Sequence, residues 1–356
     1  MESSLTVLIS DLSRRNLTRR NIESVSEGGS LQIHRSLRLS LLLGLDQDPE
    51  KRQAVFDNAM SLIRASFPRR DMTGRNPDNE PAWKRHMVQV LSLQTAFERS
   101  DPPMAGDMRF ASLLGDAGSF LWEQQNGRTC FSVCSLAEKI ARSVLRDDEP
   151  SPVLASILTY LGILTIKQGV KQRETGLGRL ERVVELREGV LKSLEPGSAT
   201  IEQQVDVGRS WNDLGYHHLD MEHFDEADEL MTKALSLYKT LGDESTLRFR
   251  FAIQYISFTP LRVGQGRIDE ALDLARRSHQ LFMDELGPEH LETARMQAEW
   301  AYALVAAGDY HAALSKFHEV LAVRSKHLEN DNPEVLTIKY WIGTVHYYLD
   351  QFTEAE

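Results

Sequence analysis

Apolar and polar residues alternate at helical spacing along most of the chain, and the helical segments come in pairs separated by short turns. One small residue marks the start of the second helix of each pair, at intervals of 46, 51, 44, 42 and 42 positions. This small-residue ladder consists of Cys130, Gly176, Ala227, Ala271, Ala313 and Ala355. A repeated spacing of this length predicts an array of stacked helix pairs rather than one globular core.

The unit that begins at Trp211 shows the pattern most fully. Leu214 and Gly215 follow Trp211 on its first helix, and Phe224 and Ala227 open the second helix. Small residues are expected where the two helices cross, because a larger side chain would push their backbones apart.

This unit resembles the tetratricopeptide repeat (TPR). The longer spacing between units, and the Arg-x-x-x-Leu helix ends at 187–191 and 324–328, resemble the kinesin-light-chain variety of that repeat. The resemblance implies an all-α fold, a TPR-like α-solenoid of helix-turn-helix repeats. The array is expected to span residues 105–356, with about six units of which the last is truncated.

The first hundred residues show a different pattern. A turn at 27–30 separates the polar segment 11–21 from residues 31–37, which predicts a β-hairpin, and an apolar helix follows at 37–45. The order helix, hairpin, helix predicts a partial winged-helix-like segment over residues 1–45. Residues 46–104 have helical periodicity and are predicted to form a helical spacer.

This N-terminal stretch resembles the segment between the nucleotide-binding NB-ARC domain and the repeat array of fungal NOD-like receptors. The resemblance depends on residues 33–35, 54–56 and 66–68 and on Trp83 and His86. It implies a sensing role for the repeats. A Gly-x-x-x-x-Gly-Lys-Ser/Thr run is absent from the sequence, so we expect no ATP binding. One alternative is therefore that the chain is a degenerate or truncated receptor fragment without independent activity.

Composition and charge narrow the class of partner. The chain carries a net charge of −11, distributed as +3 over residues 1–75 and −14 over the remainder. An acidic repeat region argues against nucleic-acid binding and favours a basic or polar peptide. No apolar run is long enough to cross a bilayer, and the N-terminus lacks a basic signal region, so we expect a cytoplasmic protein without membrane contact.

Candidate catalytic and metal-binding groups lack the spacing that their chemistry requires. His217, His218 and His223 cluster with Asp220, but they match no zinc-protease motif. Cys130 and its neighbour four residues on, Cys134, are predicted to be core residues of one helix. We therefore predict no catalytic residues, no metal site, no cofactor and no enzymatic activity.

The predicted function is a protein-interaction scaffold that holds a peptide or protein in the concave groove of the repeats. The first helix of each unit lines that groove in stacked arrays, and aromatic and arginine side chains are the usual anchors there. The residues predicted to bind the partner are Trp122, Arg209, Asn212, Tyr216, Arg295, Tyr302, Tyr340 and Tyr347. Because the last unit is incomplete, self-association through the uncapped C-terminal end is a further expectation.

Overall fold

A computed structural model describes residues 12–15, 18–21, 30–69, 80–146 and 149–351 of the chain. Two short strands, β1 (Thr18–Asn21) and β2 (Ser30–Ile33), are followed by helices throughout. The α-helices are α1 (Arg35–Asp46), α2 (Pro49–Ser66), α3 (Glu80–Glu98), α4 (Met108–Glu123), α5 (Gly127–Val144), α6 (Pro152–Ile166), α7 (Arg173–Lys192), α8 (Ile201–His218), α9 (Phe224–Leu241), α10 (Arg248–Gly264), α11 (Ile268–Leu286), α12 (Leu291–Ala306), α13 (Tyr310–His327) and α14 (Pro333–Tyr348).

The two strands pair antiparallel, with Thr18 opposite Ile33 and Asn21 opposite Ser30. Of the turn predicted at residues 27–30, residues 27–29 lie outside the described residues, and Ser30 begins β2. No comparison supports a winged-helix assignment for this segment, which stays a prediction.

The chain divides into two compact units. The first comprises residues up to Ile63 together with Leu91–Ala105, and the second comprises Arg64–Val90 together with the chain from Gly106 onward. The domain limits predicted from the sequence, at residues 45 and 104, remain predictions.

Arg52 connects two segments of the first unit. Its side chain is only 10% exposed, and its guanidinium donates to the backbone carbonyl oxygens of Asp101, at 2.9 Å, and of Pro102. Phe56, one turn further along α2, packs on Phe97 with ring centroids 5.6 Å apart. A buried guanidinium that bonds carbonyl oxygens fixes the loop at 101–102 to helix α2.

The second unit contains the repeats. Five helix pairs follow one another, α4 with α5 through α12 with α13, and α14 follows them in the position of a first helix. Of the small-residue ladder, Cys130 and the three alanines from Ala227 to Ala313 are fully buried, and Gly176 is also buried. Ala355 lies outside the described residues. The predicted α-solenoid of helix-turn-helix repeats is therefore the fold of this unit.

Close helix crossings explain the small residues. A β-carbon on Gly118 would lie 2.3 Å from the Cys134 sulfur, and one on Gly176 would lie 2.8 Å from the backbone oxygen of Gly162. Cys130 and Cys134 are both buried free thiols, which matches their predicted role as core residues.

Five of the six first helices end in the same way. A residue with positive φ lies five positions before the ladder residue in all units but the second, as in Gly266 (φ 72°), Gly308 (φ 78°) and Asp350 (φ 57°). The next residue donates its N–H to a carbonyl five residues back, for example Gln351 to His346 at 3.0 Å. This is the Schellman helix end, which favours glycine because the left-handed region is strained for other residues. The sixth first helix thus ends like the others.

Two buried arginines join successive repeats. Arg187, in α7, donates to the backbone oxygen of Asp206 in α8 at 3.0 Å. Arg324, in α13, donates to the backbone oxygen of Glu334 in α14 at 2.8 Å. These are the arginines of the two Arg-x-x-x-Leu segments, so that motif marks contacts between units.

Candidate functional site

The first helices of the repeats converge on one concave cavity of about 200 Å³. It lies wholly within the repeat unit, and most of its lining comes from first helices. The lining residues are Trp122, Glu123, Tyr160, Ile163, Lys167, Arg209, Asn212, Asp213, Tyr216, His217, Phe249, Arg250, Ile253, Ile256, Ser257, Glu292, Arg295, Ala298, Glu299, Tyr302, Arg324 and Glu334.

Six of the eight residues predicted to bind a partner line this cavity. Trp122 comes from α4, and Arg295 and Tyr302 come from α12. The other three come from α8 and are Arg209, Asn212 and Tyr216. The structure therefore brings together side chains that are as far as 180 positions apart in sequence.

Tyr340 and Tyr347 do not line this cavity, and their predicted place in the concave groove stays a prediction. Their side chains are 70% and 60% exposed. The buried residues of α14, Ile338 and Val345, lie on the opposite face of that helix, because each tyrosine is two positions from one of them. In the unit that begins at Trp211, the residue equivalent to Tyr340 is Asn212, which is buried against α10.

The cavity is rich in charge but balanced. Its five basic residues are Lys167, Arg209, Arg250, Arg295 and Arg324, and its five acidic residues are Glu123, Asp213, Glu292, Glu299 and Glu334. This local balance differs from the net charge of −11 on the whole chain. The charge that the cavity presents is therefore set by which individual side chains are already paired.

Most of these charges form close pairs. Arg295 bonds Glu292 at 2.8 Å, and Glu334 receives both Arg324 and Lys167 at 3.2 Å. Arg209 lies 3.4 Å from the Asp213 carboxylate. Arg209 also donates to the Tyr160 hydroxyl at 3.3 Å, and Ser119 bonds the same hydroxyl at 2.7 Å. These pairs hold the arginine side chains in place on the cavity wall.

Glu299 differs from Asp213, Glu292 and Glu334, which are paired with arginine. It lies on α12, one turn from both Arg295 and Tyr302, and it forms none of the hydrogen bonds or ion pairs found among the described residues. Burial raises the pKa of Glu299, and the positive charge of Arg295 only partly opposes that effect. Glu299 is partly exposed and lines the cavity.

Two tyrosines share the electrostatic field of Glu299. The Glu299 charge is the main cause that raises the pKa of Tyr216 well above its usual value, and burial adds to it. The pKa of Tyr302 is also raised, first by burial and then by Glu299. Both phenols therefore stay protonated at neutral pH and keep an O–H to donate.

Asn212 contributes a buried polar group. Its side-chain nitrogen donates to the Ser257 hydroxyl at 3.0 Å, but its oxygen has no hydrogen-bond partner among the described residues. Asn212 is only 3% exposed. A buried acceptor without a donor costs free energy. A donor that entered the cavity beside Asn212 would remove that cost.

A second cavity, of about 790 Å³, lies beside the first, where the early and late repeats meet. Gln125 donates to the backbone oxygen of Leu291 at 3.4 Å, and Asn332 donates to the backbone oxygen of Gln125 at 3.3 Å. Lys167 adds its ion pair with Glu334. These partners are 166 to 207 positions apart, and no pattern in the sequence indicated that they meet.

The histidine cluster is explained by turn contacts. His217 is buried and bonds Asp220 at 2.9 Å, and the ring nitrogens of His218 and His223 are 3.3 Å apart. Within the described ranges, no group of three or more His, Cys, Asp or Glu residues is arranged to hold a metal ion. None of the described helices is long and apolar enough to span a membrane.

Comparisons with known proteins locate the fold rather than a family. No protein-family model matches the chain, and no curated protein matches it either. Among solved structures, the apo form of RapI is 10% identical, with 77% of this chain and 90% of that chain covered and a TM-score of 0.52.

Two further structures are kinesin-light-chain-like. A kinesin-light-chain candidate from Podosopora anserina, with nearly identical TPR-like repeats, is 18% identical over 60% of this chain and 94% of its own, with a TM-score of 0.36. BtubC (BKLC) from P. vanneervenii is 19% identical over 69% and 92% of the respective chains, with a TM-score of 0.39. The fold class, a TPR-like α-solenoid, rests on the helix pairs of the structure and on the likeness to RapI.

Proposed function

We propose that this chain is a non-catalytic scaffold that binds a peptide or an extended segment of a protein partner in its concave cavity. The observation that carries the proposal is the convergence of six predicted anchor residues from three first helices, of α4, α8 and α12, on one cavity. Aromatic and arginine side chains in a desolvated cleft are the groups that contribute most to protein binding.

The cavity suits a segment of chain better than a small metabolite. Its wall is formed by six successive first helices, α4 to α14, so a segment that follows a path along the repeats can place side chains into its volume of about 200 Å³. Partly exposed tyrosine, tryptophan and arginine side chains alternate there with paired charges. An extended peptide can satisfy such a path with its own backbone and side chains.

The test compares two double variants. Tyr216→Ala with Tyr302→Ala removes two anchors from the cavity, whereas Tyr340→Ala with Tyr347→Ala removes two exposed tyrosines outside it. Peptides selected from a displayed random library against the purified chain serve as probes. We expect the first pair to weaken their binding at least roughly tenfold, about 1.4 kcal/mol, and the second pair to leave it unchanged.

Folding is controlled separately. Because Tyr302 also packs on Phe317 and Trp341, with centroids 5.3 and 5.1 Å away, Tyr216→Ala is made alone as well. Circular dichroism should show unchanged helicity for every variant used. Equal binding by both double variants, or no selected peptide at all, would contradict the proposal.

The other expectations from the sequence stay as predictions. The comparisons show no NOD-like receptor, so the alternative of a receptor fragment has no support beyond the short motifs quoted above. Self-association, the cytoplasmic location and the lack of nucleic-acid and membrane binding are likewise expectations that solution experiments must test.

A further inference from the structure

Glu299 lines the cavity and forms no ion pair with a cationic side chain among the described residues, unlike Asp213, Glu292 and Glu334. Each cation in its field is bonded to another carboxylate: Arg295 to Glu292, and both Lys167 and Arg324 to Glu334. Arg324 also uses a second nitrogen on the Glu334 backbone oxygen. Among the described residues, the protein therefore leaves the Glu299 carboxylate without an ion pair while it neutralises the neighbouring charges.

The surroundings of Glu299 are those of a cation subsite. Tyr216 and Tyr302 line the same cavity, from α8 and from the next turn of α12, and the charge of Glu299 acts on both phenols. Aromatic faces beside a carboxylate favour a desolvated cation, through ring quadrupole and charge together.

An ionised carboxylate in this position lowers the stability of the folded protein. Burial raises the pKa of Glu299 above its ordinary value of 4.5. The stability that a group with a raised pKa contributes is present below the unfolded pKa and is lost as the pH rises through the folded pKa. At neutral pH the unpaired charge therefore destabilises the free protein, and a bound cation would remove that penalty.

We propose that Glu299, with Tyr216 and Tyr302, receives an arginine or lysine side chain of the bound segment. This inference rests on the proposed function and names the chemistry that the cavity selects. The bound cation pairs with the Glu299 carboxylate, and its stem packs against the tyrosine rings. A basic partner also agrees with the overall acidity of the repeat region.

The test uses four pools of synthetic peptides that differ at one fixed position. The fixed residue is arginine, lysine, citrulline or glutamate, and the other positions are randomised. Citrulline matches arginine in shape but carries no charge. For the unaltered protein we expect the arginine and lysine pools to bind at least roughly tenfold more tightly than the citrulline and glutamate pools, in fluorescence polarisation.

Glu299→Gln then isolates the charge. We expect this variant to lose most of the preference for arginine over citrulline, while Glu289→Gln, which removes an exposed carboxylate outside the cavity, retains it. Glu299→Gln should also melt at a temperature at least as high as the unaltered protein at pH 7, with the difference shrinking below pH 4.5, the ordinary pKa of a glutamate. Lost selectivity would then not reflect unfolding.

The possible outcomes separate the two proposals. Pools that bind equally, or a preference for the glutamate pool, would overturn the cation subsite while leaving peptide binding in the cavity intact. Retention of the arginine preference by Glu299→Gln would also overturn it. Failure of every pool to bind the unaltered protein would count against the proposed function and hence against the subsite.

Discussion

At the scale of single residues, two glycines on helix α7 have opposite roles although they are two positions apart. A β-carbon on Gly176 would lie 2.4 Å from the Ile166 side chain and 2.8 Å from a backbone oxygen, whereas one on the exposed Gly178 would meet nothing within 4 Å. Gly176→Ala should therefore lower the free energy of unfolding by about 1–3 kcal/mol through overpacking. Gly178→Ala should raise it by up to about 1 kcal/mol, because alanine favours a helix.

Chemical denaturation of the two variants and the unaltered chain measures this difference. Since both changes add the same methyl group to the same helix, each is the control for the other. A similar shift for both variants would show that the small-residue ladder is not required by helix crossing.

Single residues of the cavity were predictable only in part. The repeat frame indicated Tyr216, Tyr302 and Arg295, because positions on first helices recur at a fixed spacing. The same frame gave no signal for Glu299, which in sequence is one more glutamate on an amphipathic helix. Its role depends on where the arginine one turn away directs its guanidinium, and that is decided by Glu292. Pairing of this kind is set by tertiary contacts that periodicity does not encode.

At the scale of elements, the contact between one helix pair and the next depends on a few buried links. Arg324 is 2% exposed and bonds both the backbone oxygen and the carboxylate of Glu334. Arg324→Met should remove these bonds and lower the free energy of unfolding by about 2–3 kcal/mol. Hydrogen bonds from charged donors are strong, and their loss leaves buried acceptors without a donor. Arg276→Met is the matched control, because Arg276 is 68% exposed in a pair with Asp273.

Thermal and urea unfolding of both variants measure this effect. The exposed pair should contribute less than about 0.5 kcal/mol, since solvent and salt screen it. If the two methionine variants lost equal stability, the Arg-x-x-x-Leu motif would not act as a link between repeats.

Most of the helices could be predicted from the sequence. Helical periodicity and the small-residue ladder predicted each helix pair from α4 to α13, because both features arise from local spacing and from the space at one crossing. The repeated Schellman ends, in which Gln125, Glu222 and Asp350 have positive φ without being glycine, were not anticipated. Glycine is the usual signal for that conformation, and these positions lack it.

At the scale of the whole repeat unit, the early and late repeats touch across the cavity. The contacts are the Lys167–Glu334 ion pair and the two bonds of Gln125, to Leu291 and from Asn332. A solenoid in which each unit meets only its neighbours would lack such contacts. The cavity therefore depends on closure of the array as well as on the local packing of its helices.

This closure can be followed as a distance. Spin labels at Lys171→Cys and Asn330→Cys, both exposed, report on the two sides of the contact, and the native Cys130 and Cys134 are buried and should not react. We expect one narrow distance distribution in double electron–electron resonance. Adding Lys167→Met with Asn332→Asp should broaden it and move it to longer distances, because two of the three contacts are lost and only the bond from Gln125 to Leu291 remains.

The substitutions are chosen to spare the local structure. Asn332 also caps helix α14 by accepting from the Glu334 backbone N–H, and aspartate keeps that acceptor while it removes the donor to Gln125. Lys192→Met, at an exposed lysine paired with Glu188, is the control for loss of charge. An unchanged distribution in the Lys167 and Asn332 variant would mean that helix packing alone sets the closure. In that case, the cavity would be a rigid product of the repeats, and a bound segment would have to enter without separation of its early and late sides.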